Sequence, residues 1–129
     1  MWPPSVEQVA AVFRAAGVEA RLEELPEGED EFPGLGVRAD AFDCDGRRVV
    51  ALVPADRDTD PRKLGCARTR AVRAPDFPYS GAAVWMDTSL LGEETVWIEA
   101  GSPRHVLGVS PAQLLRLVHA QTSDLVVEG

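Results

Sequence analysis

Apolar and polar positions fall into their clearest pattern between Val37 and Pro54, VRADAFDCDGRRVVALVP. Two β-rich runs flank Asp45-Gly46. A two-residue loop of this type takes φ > 0 at both positions, which makes Asp-Gly a strong hairpin signal. With that loop, Cys44 faces Arg47, Asp43 faces Arg48, Phe42 faces Val49, Asp40 faces Ala51 and Arg38 faces Val53. Side chains alternate along a strand. One face therefore carries Val37, Ala39, Ala41, Val50 and Leu52 and ends in an exposed Asp43/Arg48 pair. The other carries Phe42, Val49, Ala51 and Val53, with Arg38 and Asp40 among them. Both faces are mostly apolar, which predicts a central hairpin covered on both sides. Two charges set into an apolar face require a partner or a task.

The rest of the chain follows the same two periodicities. Val6, Val9, Ala10, Phe13 and Ala16 share one helical face. Ser5 and Gln8 form a capping-box pattern before it, and Gly17 supplies the stop. Val18 to Leu25 alternates as a strand. Pro26 to Gly36 is a loop, and its acidic run Glu27, Glu29, Asp30 and Glu31 reads as solvated. Asp60-Pro61 caps a short helix through Leu64 or Cys66. Thr69–Arg73 is a short strand, and Ala74 to Gly81, APDFPYSG, is a turn-rich loop. Strands are predicted at Ala83–Asp87, Thr95–Ala100 and Arg104–Val109, with a polar turn around Gly92 to Glu94. Ser110 and Gln113 cap a last helix that ends near Ala120, and Leu125–Val127 forms a final short strand. Hairpins with segregated helices predict an α+β domain over residues 1–129, a mixed β-sheet or partial barrel with flanking helices.

Composition narrows the function. The chain has 129 residues, 45% of them hydrophobic, enough for one buried core. The net charge of −8 argues against a protein that grips DNA or RNA mainly through phosphates. Cys44 and Cys66 make no metal spacing with each other or with His105 and His119, and read as reduced structural thiols. MWPPS has neither a basic nor an apolar leader region, and no apolar run reaches membrane-spanning length. A soluble cytoplasmic protein without a membrane partner is the expectation. Nucleotide-binding glycine loops, a metalloprotease H-E-x-x-H and a G-x-S-x-G elbow are all missing.

The second half carries a more specific pattern. Val84–Leu91 reads V-x-x-D-x-S-L-L, Val96–Ile98 bears a tryptophan, and Ala100–Ser102 reads A-G-S. Ser110–Leu117 reads S-P-x-Q-L-L-R-L, and Ala120–Leu125 ends in A-x-x-x-D-L. In this order they resemble the YbaK-type editing domains, also called prolyl-tRNA synthetase associated domains. Upstream, Val37 to Leu64 resembles that family's first hairpin and the helix after it. The resemblance implies hydrolysis of the ester that joins a wrong amino acid to the 3′ end of a tRNA. It implies no metal or cofactor, and as partners the tRNA end and an aminoacyl-tRNA synthetase that delivers it.

The resemblance also implies a site. The family lysine near the start of the hairpin corresponds to Arg38, and the backbone amides of the glycine turn correspond to Gly101 and Ser102. Asp40, Asp87, Ala100 and His105 are the substrate-binding positions it places nearby. Two departures stand out. Arginine keeps the charge but not the point-like ammonium, and only Ala74 to Gly81 remains of a longer glycine- and proline-rich loop. Read from the residues alone, Arg38 either binds a ligand or pairs with Asp40. Asp87 is either a strand-end turn residue or a pocket carboxylate. Gly101-Ser102 is a tight turn unless its amides face Arg38, and His105 is structural unless it moves a proton. No carboxylate is placed to orient His105 on Ser102 as a catalytic pair. Three functions are left open: an aminoacyl-tRNA deacylase, a non-catalytic binding module with an eroded site and, third, a small-molecule esterase using the same cleft.

Overall fold

The computed structural model describes residues 2–29 and 31–128. The predicted hairpin is its centre. Strands β2 (Val37–Cys44) and β3 (Arg47–Pro54) pair in the register counted from the turn, from Cys44↔Arg47 to Val37↔Pro54. Asp45 and Gly46 take φ of 52° and 87°, as a primed turn requires. The half-buried Asp43 and the exposed Arg48 stand opposite each other, but the ion pair of Asp43 is with Arg70, at 3.8 Å.

Around the hairpin lies a mixed five-stranded sheet in the order β4-β2-β3-β5-β8. β4 (Thr69–Val72) adds antiparallel, and β5 (Ala83–Asp87) and β8 (Gln121–Ser123) add parallel. A second, antiparallel sheet runs β1-β7-β6, from β1 (Arg21–Glu24), β7 (His105–Val109) and β6 (Val96–Ser102). The sheets meet at a bridge between Gly36 and Trp97. Neither closes on itself, so the expected α+β class holds as two open sheets with flanking helices.

Both hairpin faces are covered, as their composition demands. Val50, Leu52 and Ala41 pack with Met86, Ile98, Leu107 and Phe13 in the main core. Phe42, Ala51 and Val53 pack with Leu125 and Val126 in a second one. Val50 and Met86 are wholly inaccessible, and full burial of such a side chain contributes about 1.5–3 kcal/mol.

Helix α1 (Pro4–Ala15) begins one residue before the predicted cap. Pro3 and Pro4 preset the backbone, and the Pro3 carbonyl accepts from Val6 and Glu7 N–H, each at 3.0 Å. Ser5 and Gln8 thus lie inside the first turns and form no capping box. Gly17, at φ 68°, ends the helix while Val18 N–H reaches the Phe13 carbonyl at 3.0 Å. Helix α2 (Pro111–Leu117) has its expected cap: Ser110 Oγ accepts from Gln113 N–H at 3.3 Å. The helix ends earlier than its pattern suggests. A 3-10 turn at Pro61–Leu64 follows the Asp60 cap.

Three expectations are corrected. The last strand is Gln121–Ser123, while Leu125–Val127 is an extended strap joined to Thr59 by a single bridge at Val126. Its apolar residues cover the second core instead of joining the sheet. A 3-10 turn at Thr88–Gly92 fills what reads as part of a polar connection. Cys44 and Cys66 are not free thiols but a disulfide, with their Cα atoms 5.5 Å apart. The Asp45 carboxylate accepts from Ala67 N–H (2.9 Å) and Arg68 N–H (2.8 Å), which folds the descending chain back onto the hairpin tip beside Cys44. Glu27, Glu29 and Glu31 are exposed, and Asp30 lies outside the described residues. Among the described residues no helix is long and apolar enough to cross a membrane.

Candidate functional site: a cleft between the hairpin and the first helix

A cleft of about 530 Å³ opens where the start of β2 meets α1 and β6. Arg38 and Gly101 both line it. The first turns of α1 contribute Ser5 and Gln8, and the loop before β5 contributes Asp76, Phe77 and Tyr79. Glu99 stands on the rim from β6.

Gly101 makes the arrangement possible. The register of β6 against β7 shifts between Glu99 and Ser102, and Gly101 takes φ 91°. A Cβ there would stand 2.6 Å from the Ser5 carbonyl oxygen. Only glycine lets α1 lie this close to the strand. The far wall is set by aromatic packing. Phe77 stacks on Phe13 of α1 (centroids 5.3 Å, 9°), and Tyr79 meets Phe77 edge-on at 5.5 Å. Tyr79 itself takes φ 66°, with its N–H on the Asp76 carbonyl at 2.8 Å.

Burial, and then the nearby Glu99 carboxylate, push the Tyr79 phenol up to about 12 from an ordinary 10.0. The folded protein therefore holds the neutral phenol. Stability owed to it is complete below pH 10 and is lost as pH rises toward the folded value. Tyr79 is the single tyrosine, so phenolate absorbance reads it directly. The expected midpoint is about 12 in the native protein and about 10 in urea; a native midpoint near the ordinary value would contradict the buried phenol.

Arg38 is held on several sides. Its Nε lies 3.0 and 3.2 Å from the two Asp40 oxygens, and its Nη2 lies 3.0 Å from Asp40 Oδ2. Nη2 also donates to the Arg57 carbonyl at 2.7 Å. Nη1 has one weak acceptor, the Ala55 carbonyl at 3.4 Å. Asp40 takes a further bond from Thr59 Oγ1 at 2.8 Å. Bonding to Asp40 raises the Arg38 pKa above its ordinary value, so the guanidinium stays charged but largely matched. Asp76 and Glu99 have no ion-pair partner among the described residues. The cleft is therefore an acidic one with aromatic walls and one matched guanidinium.

The other sequence-derived positions stand off the cleft wall. Asp87, 2% exposed, caps the 3-10 turn through Ser89 N–H (3.2 Å) and Ser89 Oγ, and accepts from Leu125 N–H at 2.8 Å. Its lone pairs are spent on the fold. Ala100 is buried in the core. Ser102 Oγ lies 2.9 Å from His105 Nδ1 and accepts from Arg104 N–H at 3.1 Å. His105 is buried edge-on to Trp2, at 5.2 Å, and among the described residues no carboxylate is bonded to it. Asp40 reaches the cleft only through Arg38. The single lysine, Lys63, anchors the C-terminal strap through Asp124 (2.9 Å) and the Val126 carbonyl (2.7 Å). It does not line the cleft. Among the described residues no group of His, Cys, Asp or Glu forms a metal-ligand cluster.

Sequence reasoning passed over Asp76, Phe77, Tyr79 and Glu99. The available signal was two aromatics set between prolines and a glycine in APDFPYSG, which read only as a loop.

No protein-family model and no curated protein matches the sequence. Solved structures do. A protein described as a candidate trans-editing enzyme for prolyl tRNA synthetase superposes with a TM-score of 0.82 at 22% identity, over 99% of this chain and all of the other. A scaffold protein from the computational grafting of linear epitopes superposes at 0.84 with 20% identity, over 99% of this chain and 100% of that one. A protein described only as hypothetical superposes at 0.78 with 16% identity, over 93% of this chain and 99% of that one. At these identities the likeness concerns the fold, and the fold of this chain is the YbaK-type α+β fold that its sequence resembles.

Proposed function

We propose that the chain is an aminoacyl-tRNA deacylase-like domain of the trans-editing type, acting in translation fidelity on mischarged tRNA. The observation that carries this reading is the open cleft beside Arg38 and Gly101, at the positions the resemblance assigns to the family lysine and glycine turn. The 3′ aminoacyl ester enters the cleft, with the aminoacyl side chain against Phe77 and Tyr79. Water attacks the ester carbonyl, the C–O bond to the ribose breaks, and the proton from water goes to the departing 3′ oxygen. The products are a free amino acid and an uncharged tRNA end. Arg38 Nη1, the least engaged donor of that side chain, and backbone N–H at Gly101 are the groups offered to the developing oxyanion. One such donor contributes about 3 kcal/mol to the rate. The acidic surface makes delivery by a synthetase part of this reading.

The bidentate Arg38–Asp40 pair favours a second reading, a binding module that holds a tRNA end, nucleotide or synthetase without cleaving anything. A panel of mischarged tRNAs separates the two. Deacylation above the buffer rate is expected, and Arg38→Ala is expected to lower it about 100-fold. If neither the natural protein nor Arg38→Lys hydrolyses any ester while the cleft still binds aminoacyl-tRNA, the module reading replaces the deacylase.

A further inference from the structure

We propose that the turn end of the hairpin is a docking surface for an RNA phosphate backbone. The chain carries a net charge of −8, yet four of its twelve arginines, Arg47, Arg48, Arg68 and Arg70, gather at this one end. All four are exposed. The register sets Arg48, Asp43 and Arg70 side by side across three strands. At the usual strand spacing the two arginine backbones stand roughly 10 Å apart.

The carboxylates at this end are committed to the fold. Asp43 Oδ1 accepts from Gly46 N–H at 2.9 Å. Both oxygens of Asp45 hold the Ala67 and Arg68 amides. Arg48 and Arg68 have no ion-pair partner among the described residues, and the one Arg70 has, Asp43, is long at 3.8 Å. The guanidiniums are left to solvent or to a ligand with paired oxygens. Arginine suits a phosphate for that reason, since its planar fork donates to two oxygens at once.

Position favours RNA over other anions. A depression of about 360 Å³ lies between Arg48, Arg70, Ser80 and Gly81, and Asp43 lines it as well. The same loop, a few residues earlier, supplies Asp76, Phe77 and Tyr79 to the cleft. Along β2 the step from Arg38 to Asp43 is roughly 17 Å, within reach of a few nucleotides. The cleft itself repels phosphate through Asp76 and Glu99. A strand whose end lies there needs its charges met elsewhere, and this end of the hairpin meets them. That the docked RNA is a tRNA end rests on the deacylase reading; the surface does not.

The test is fluorescence anisotropy of labelled uncharged tRNA over a range of salt, with hydrolysis of a small amino-acid ester measured in parallel. Arg48→Gln/Arg70→Gln is expected to weaken binding at least about 10-fold at low salt. It should also flatten the slope of log affinity against log salt by about 1.5, two phosphate contacts' worth. Arg48→Glu/Arg70→Glu should do more. Arg21→Gln/Arg116→Gln, the same charge change elsewhere, should stay within about twofold. Urea unfolding midpoints confirm that each variant is folded. Unchanged RNA affinity in the folded Gln variant overturns the proposal, as does polyglutamate binding this end more tightly than RNA. Loss of RNA affinity with ester hydrolysis intact supports both readings. The same loss in the variant, where the natural protein hydrolyses neither the small ester nor mischarged tRNA, supports the surface and removes the deacylase.

Discussion

Gly101→Ala is expected to cost about 3 kcal/mol of stability and to disturb the cleft at the same time. Two effects add. At φ 91° an L-residue is strained, which costs about 1–2 kcal/mol. The new methyl would also stand 2.6 and 2.7 Å from the carbonyl oxygen and carbon of Ser5, and 3.0 Å from Val6 N. These are backbone atoms, so no side-chain rotation relieves the clash and α1 has to shift as a body. That helix buries Val6, Val9 and Phe13, and Phe13 carries the stack that positions Phe77. Gly17→Ala provides the comparison. Gly17 also has positive φ, 68°, but open space around it, so about 1 kcal/mol is expected there. Urea unfolding of both variants measures the difference. Equal losses at the two positions would show that the approach of α1 to β6 carries no energetic weight.

Opening the Cys44–Cys66 disulfide is expected to remove about 3 kcal/mol, the chain-entropy value for residues 22 apart. The cross-link ties the hairpin tip to the segment after Pro61–Leu64, which otherwise relies on the hydrogen bonds of Asp45. Unfolding midpoints with and without a thiol reductant measure the effect. The natural protein should shift, and Cys44→Ala/Cys66→Ala should not respond. An identical midpoint in both conditions would contradict the assignment. The cleft lies at the other end of β2, so its geometry should outlast reduction while the arginine-rich turn end loosens.

The parts of this fold that were legible are those set by local chemistry. Asp45-Gly46 dictates a primed turn, and once the turn is placed every pairing from Cys44 to Val37 follows by counting. Ser110-Pro111 and Asp60-Pro61 mark helix starts for the same reason, a side-chain acceptor followed by a residue with no N–H to satisfy. The misread parts depend on contacts distant in sequence. Asp87 is the strand-end turn residue its position suggests, but nothing local shows that Leu125 N–H takes its second oxygen. Cys44 and Cys66 look unrelated until Asp45 folds the chain back between them. The cleft was half legible. Arg38 stood out as a charge on an apolar strand face, and Asp40 as its neighbour on the same face. Tyr79 and Phe77 did not, because their place follows from a stack on Phe13, more than sixty residues earlier.

The strap at Leu125–Val127 has a mechanical side. Arg57 Nη2 holds the Val127 carbonyl at 3.0 Å, and Val127 N–H holds the Asp58 carbonyl at 2.9 Å. Arg57 and Asp58 are also the residues that grip Arg38, through the Arg57 carbonyl at 2.7 Å and the Asp58 carboxylate at 3.5 Å. The strap thus shares Arg57 and Asp58 with the guanidinium of Arg38. Displacing the strap would be felt along two hydrogen bonds at Arg38, a cation that lines the cleft.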